Sequence, residues 1–64
     1  MAKESAEILT RLSELKISNE VALLFDGGFE NLVEGKANAG LADRVRAAGA
    51  SPEAIALAER LEKC

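Results

Sequence analysis

An all-α fold is what this chain of 64 residues predicts: a single domain over residues 1–64, four or five short helices, and a helical hairpin at the C-terminal end. Three observations carry that expectation. Ser18, Asn38 and Ser51 each stand just before a helix-like segment, where a side-chain oxygen can accept from the free N–H groups of a first turn. Glycines follow the apolar segments, and a left-handed glycine ends a helix without a Cβ penalty. Ala54, Leu57, Ala58 and Leu61 recur at i, i+3, i+4 and i+7, the spacing of one buried helical stripe.

The first helix is expected from about Ala2–Ser5 to Lys16. Ile8, Leu12 and Leu15 form its inner stripe, with Leu9 beside them. Glu7 and Arg11 form an i, i+4 pair in the favourable order on its outer face. Ser18 then opens a second helix. Its run Val21-Ala22-Leu23-Leu24-Phe25 is apolar on every side, so it is either wholly buried or partly committed to another chain. Asp26-Gly27-Gly28 is expected to end this helix, with Phe29 packing back on it. The same stretch supports a rival. Val21–Phe25 and Phe29–Val33 flank an Asp-Gly, which is a hairpin signal and would make the fold α+β with a hairpin at 21–33. Helix is preferred because helix formers dominate the rest of the chain.

Residues 30–34 add at most two helical turns before Gly35, and Lys36 to Gly40 is a connector. Asn38 should cap a helix near 39–48 that presents Leu41, Ala42, Val45 and Ala48 on one side. Gly49-Ala50-Ser51-Pro52 separates it from the last helix. Gly49 supplies a left-handed stop, Ser51 a cap, Pro52 a first position that needs no N–H, and Glu53 a charge suited to the helix dipole. Glu59 and Lys63 should pair across a turn of that helix. The expected core is Ile8, Leu12, Leu15, Val21, Leu24, Phe25, Phe29, Leu32, Leu41, Val45, Leu57 and Leu61.

Composition narrows the chemistry. A domain this short buries only about 60% of its unfolded surface, so it needs a well-packed core or outside help. Cys64 is the only cysteine and there is no histidine, which removes an internal disulfide and a Cys/His zinc site. The mixed-charge N-terminus has no apolar run behind it, and no stretch reaches the length of a membrane span. Neither a leader nor a membrane is expected, and the chain reads as cytoplasmic. Net charge is −3, with an acidic first half and a balanced second half. Such a chain is a poor general binder of phosphate backbones, so nucleic acid is not an expected partner.

No constellation for catalysis stands out. Without histidine the usual base near neutral pH is missing, and Ser5, Ser13, Ser18 and Ser51 suit caps or surface positions. Asp26, Glu30 and Glu34 lack the dense ligand loop of a calcium site and read as a solvated helix face. Gly35 to Gly40 has phosphate-loop spacing, yet Leu41 and Ala42 stand where Lys and Ser/Thr are needed. A weaker anion site survives there, with Lys36, Asn38, Arg44 and Arg46 around a helix start. The segment 41–61 also has helix-turn-helix spacing, but Val45 occupies a small-residue position and Pro52, Glu53 and Ala54 open the would-be reading helix. Cys64 reads as a tolerated terminal thiol.

What remains is an apolar surplus. Leu9, Ile17, Leu23, Val33 and Ile55 exceed what one small core shelters, and that points to a protein surface. The expected function is a non-catalytic protein-interaction module, not an enzyme, with no cofactor and no metal. It would self-associate as a homodimer or larger oligomer, or dock on a larger protein as a small adaptor or inhibitor of bacterial or phage accessory type. A small anion- or nucleotide-binding protein using residues 35–46 is the alternative, and a helix-turn-helix DNA binder comes third.

Overall fold

Four helices account for the regular structure in the computed structural model, which describes residues 2–64. They are α1 (Ala2–Ser13), α2 (Asn19–Glu34), α3 (Leu41–Ala47) and α4 (Pro52–Glu62). The fold is all-α, and no strand occurs among the described residues.

Helix α4 is the hub. It packs on α1, α2 and α3, and α2 also packs on α3. Its apolar stripe explains this: Ala54, Leu57, Ala58 and Leu61 are all buried. The two alanines matter as much as the leucines, because small side chains let neighbouring helices come close. Ser51 caps α4 as its sequence suggests, with the hydroxyl oxygen accepting from the Ala54 N–H at 3.3 Å. Gly49, at φ +83°, makes the left-handed turn that separates α3 from α4.

Helix α1 contributes Ile8 and Leu12 to the core. It stops three residues before Lys16. The Glu14 and Leu15 N–H groups bond to the carbonyls of Arg11 and Leu12, three residues back, which tightens the last turn out of α-helical pitch. Leu15 then lies half-buried against the core from the connector. Glu7 does not settle on Arg11. It accepts from Arg60 of α4 at 2.9 Å, and Glu4 lies 3.5 Å from the same guanidinium.

Helix α2 corrects two expectations. Asp26-Gly27-Gly28 neither ends the helix nor turns a hairpin at 21–33: one helix runs through it, 16 residues long. A mid-helix glycine costs about 1 kcal/mol relative to alanine, which tertiary packing can offset. Gly28 shows how. It is buried, and a Cβ there would lie 2.9 Å from Leu61 Cδ2 and 3.1 Å from Leu41 Cδ2. The missing side chain is what lets α2 seat on α3 and α4. The true stop comes at Gly35, φ +75°, where the Lys36 N–H reaches back to the Asn31 carbonyl at 2.7 Å. Ser18 caps the other end, its hydroxyl oxygen accepting from the Val21 N–H at 3.2 Å.

Asn38 is a third correction. It does not cap α3; Gly40 takes that position, with φ +80° and no side-chain hydrogen bond. The Asn38 side chain turns inward and is only 3% exposed. It accepts from Asn31 Nδ2 at 2.9 Å and donates to the Gly28 carbonyl at 3.1 Å. The connector 35–40 is thereby fastened to α2. The acceptor that α3 lacks locally comes from α4: the Glu62 carboxylate accepts from the Ala42 N–H at 2.6 Å. Glu59 likewise faces Arg46 of α3 at 3.7 Å and not Lys63.

The core holds eight of the twelve expected residues, with Leu15, Leu24, Phe29 and Leu32 half-buried against it. Ala42, Ala54 and Ala58 complete it.

Candidate functional site

The residues expected at an interface separate into two groups. Ile17 and Ile55 are half-buried against the core and belong to the fold. Among the described residues, Leu9, Leu23 and Val33 are the large apolar side chains left outside, at 55%, 70% and 86% exposure. Leu9 stands on α1. Leu23 and Val33 stand on α2, ten residues and so about 15 Å apart along the axis.

Helix geometry organises α2 into two sides. Val21, Phe25 and Gly28 face inward and are buried. Glu20, Leu23, Asp26, Gly27, Glu30, Val33 and Glu34 are all exposed and fall on the opposite arc. The helix carries four of the chain's eleven acidic residues and none of its eight basic ones. Within that arc Leu23 and Gly27 stand one turn apart on a central line. Glu20 lies to one side of it, Asp26 and Glu30 to the other. Lys36, just past the helix end, pairs with Glu34 at 3.1 Å.

Gly27 is the residue that pattern reading missed as anything but a stop. It is exposed, its backbone is helical, and a Cβ built on it meets no atom within 4 Å. Unlike Gly28, it has no packing reason to lack a side chain. The signal was in the Gly-Gly pair, but only the three-dimensional packing tells the two glycines apart.

The anion set Lys36, Asn38, Arg44 and Arg46 is engaged by the chain itself. Lys36 holds Glu34, and Asn38 is spent inside. Arg44 donates to the Ala39 carbonyl at 3.4 Å, and Arg46 pairs with Asp43 at 2.8 Å. At the start of α3, where an anion would sit, the Ala42 N–H already meets the Glu62 carboxylate and the Leu41 N–H meets the Asn38 carbonyl. As for DNA reading, the exposed residues of α4 include Glu53, Ala56, Glu59 and Glu62, three of them carrying the wrong sign for phosphate.

A groove lies between α1 and α4, beside a second hollow lined by Lys3, Glu4, Glu7 and Arg60. The groove encloses about 330 Å³ over a floor of Leu15, Ala56 and Leu57. Its walls mix Arg11 and Arg60 with Glu14 and Glu53, so they select no sign of ligand. Arg60 is also committed: its hydrogen bond to Glu7, with Glu4 close by, holds its pKa above the ordinary arginine value. Among the described residues no group of His, Cys, Asp and Glu is placed to hold a metal ion, and no helix is long and apolar enough to cross a membrane.

No family model matches the chain, and no curated protein or solved structure is similar to it.

Proposed function

We propose that this chain is a non-catalytic protein-interaction module, a small cytoplasmic adaptor or inhibitor, that docks through the outward face of α2. The observation that carries the reading is the exposure of Leu23 on that face, 70%, one turn from a glycine that the fold does not need. A large aliphatic side chain left in water forgoes about 1.5–3 kcal/mol of burial, and a mid-helix glycine costs about 1 kcal/mol. Two such costs side by side on one surface favour a site over accident, since local rules are broken most often where function asks for it.

Self-association is the second form of the reading. Leu9 and Val33 supply apolar area for it, and sedimentation at high micromolar concentration reads it directly. A symmetric dimer through α2 would set the carboxylates of one copy against those of the other, so a different partner is favoured over a second copy on this face.

Photo-crosslinking tests the module. A photoreactive residue replaces Leu23 in one variant and the exposed Ala47 of α3 in another. Capture of a discrete protein from Leu23, absent from Ala47 and competed away by the unmodified chain, supports docking at α2. Equal labelling from both positions, or none from Leu23, overturns it.

A further inference from the structure

We infer that the partner brings a cationic helix to α2, laid along the line of Leu23 and Gly27, with its Lys or Arg side chains reaching the carboxylates on either side. The inference rests on the docking role proposed for α2 and adds the chemistry and shape of what docks.

Charge supplies the first part. Every ionisable side chain on α2 is acidic, while the rest of the chain mixes both signs. A neutral or acidic partner would have to desolvate Glu20, Asp26 and Glu30 without repayment, whereas a basic one exchanges water for charge-assisted hydrogen bonds. Nucleic acid and a second copy of this face are both repelled. A divalent cation finds no enclosing set, because these carboxylates stand on successive turns of one exposed helix.

Shape supplies the second part. On a helix the i, i+4 rows form ridges, and partners pack ridge into groove. Leu23, Gly27 and Asn31 form such a row, and at Gly27 it has a gap. A gap that no residue of this chain fills lets another backbone approach closely. Leu23 beside it is the projecting apolar contact. An extended segment would gain no hydrogen bonds from a helix surface, whose backbone groups are already paired within it. A helix with one apolar stripe flanked by basic residues matches both the gap and the charges.

The test is a titration followed by amide chemical shifts in the ¹⁵N-labelled chain. The probe is a synthetic helical peptide of leucine and lysine at amphipathic spacing, and the control has glutamate in place of every lysine. Saturable shifts confined to residues 19–34, largest near Leu23 and Gly27 and absent with the acidic peptide, support the proposal. Leu23→Gln and Gly27→Leu leave the charge unchanged, and each should weaken binding by about tenfold, the effect of losing one buried aliphatic side chain or blocking its approach. Circular dichroism checks that both variants keep the parent helicity. Open space at Gly27 makes a folding failure there unexpected.

Binding that ignores both substitutions is polyelectrolyte attraction alone and overturns the proposal. So do shifts centred on the α1–α4 groove, and concentration-dependent shifts of 19–34 without peptide, which would mean a second copy covers the face. The two readings fail separately. Crosslinks at Leu23 that the leucine-lysine peptide does not displace leave docking at α2 standing and reject the cationic helix. Absent crosslinks reject docking itself.

Discussion

Glu62, the last residue of α4, hands its carboxylate to the backbone N–H of Ala42 in the first turn of α3, at 2.6 Å. A helix start normally takes its acceptor from the residue just before it. Here Gly40 has none to offer, and the acceptor arrives from twenty residues further along the chain.

Glu62→Ala should therefore destabilise the protein by about 1 kcal/mol, the usual loss when a cap acceptor is removed. Glu62→Gln keeps an acceptor and gives up the charge, so it should lie between parent and alanine variant. Denaturant titration of the three proteins orders them. Equal midpoints would show that water replaces the carboxylate at no cost.

The neighbouring glycines of α2 should respond differently to the same change. Gly27→Ala adds a methyl group in open space on a helical backbone and should stabilise by about 0.5–1 kcal/mol. Gly28→Ala gains the same helix propensity but must displace Leu61 and Leu41, both buried. It should fall below Gly27→Ala by about 1–3 kcal/mol, the range for overpacking a core. Thermal midpoints of the two variants, measured together, read the difference.

Gly49→Val should destabilise by more than about 1 kcal/mol, although a Cβ there touches nothing. Its cost is conformational: φ +83° suits glycine, and a β-branched residue fits it worst. Gly49→Asn should be milder, because asparagine tolerates the left-handed region. A valine variant as stable as the asparagine variant would refute this account of the turn.

Arg60, half-buried, ties α4 to α1 through the exposed Glu7 and Glu4. Arg60→Ala should lower the thermal midpoint at low ionic strength, and the difference should close at about 1 M salt, where the Debye length is about 3 Å. The hydrogen bond to Glu7 raises the Arg60 pKa. A raised pKa means stability present at and below the ordinary arginine value and lost only as pH climbs through the higher, folded-state value. Titration of the arginine thus leaves stability flat from pH 6 to 9. A step in the parent within that window, absent from Arg60→Ala, would contradict the assignment.

Local chemistry made much of this fold legible. Ser18 and Ser51 cap as serine oxygens do, and Gly49 turns because glycine can. The stripe from Ala54 to Leu61 is buried as its spacing requires. What escaped reading depends on partners distant in sequence. Gly28 looked like a stop because its helical role comes from Leu41 and Leu61. Asn38 reads as a cap from its neighbours alone, because the groups it satisfies, on Asn31 and Gly28, lie on a helix whose run through Gly28 only distant packing explains. For the candidate surface, Leu23 and Val33 could be found by counting apolar residues against available core. Ile17 and Ile55 could not be separated from them without knowing where α4 lies. Gly27 needed the contrast with Gly28.

Helix α4 packs on all three other helices, yet it is the last of the four in the order of synthesis. The consequence is one of timing. Until residues 52–62 have left the ribosome, α1 lacks its principal packing partner, and Gly28 faces no Leu61. Arg60 closes on Glu7 across 53 residues of chain. Ile8, Leu12 and Phe25 therefore leave the ribosome before the helix that completes their shared core. The arrival of α4 closes one core over all three helices made before it.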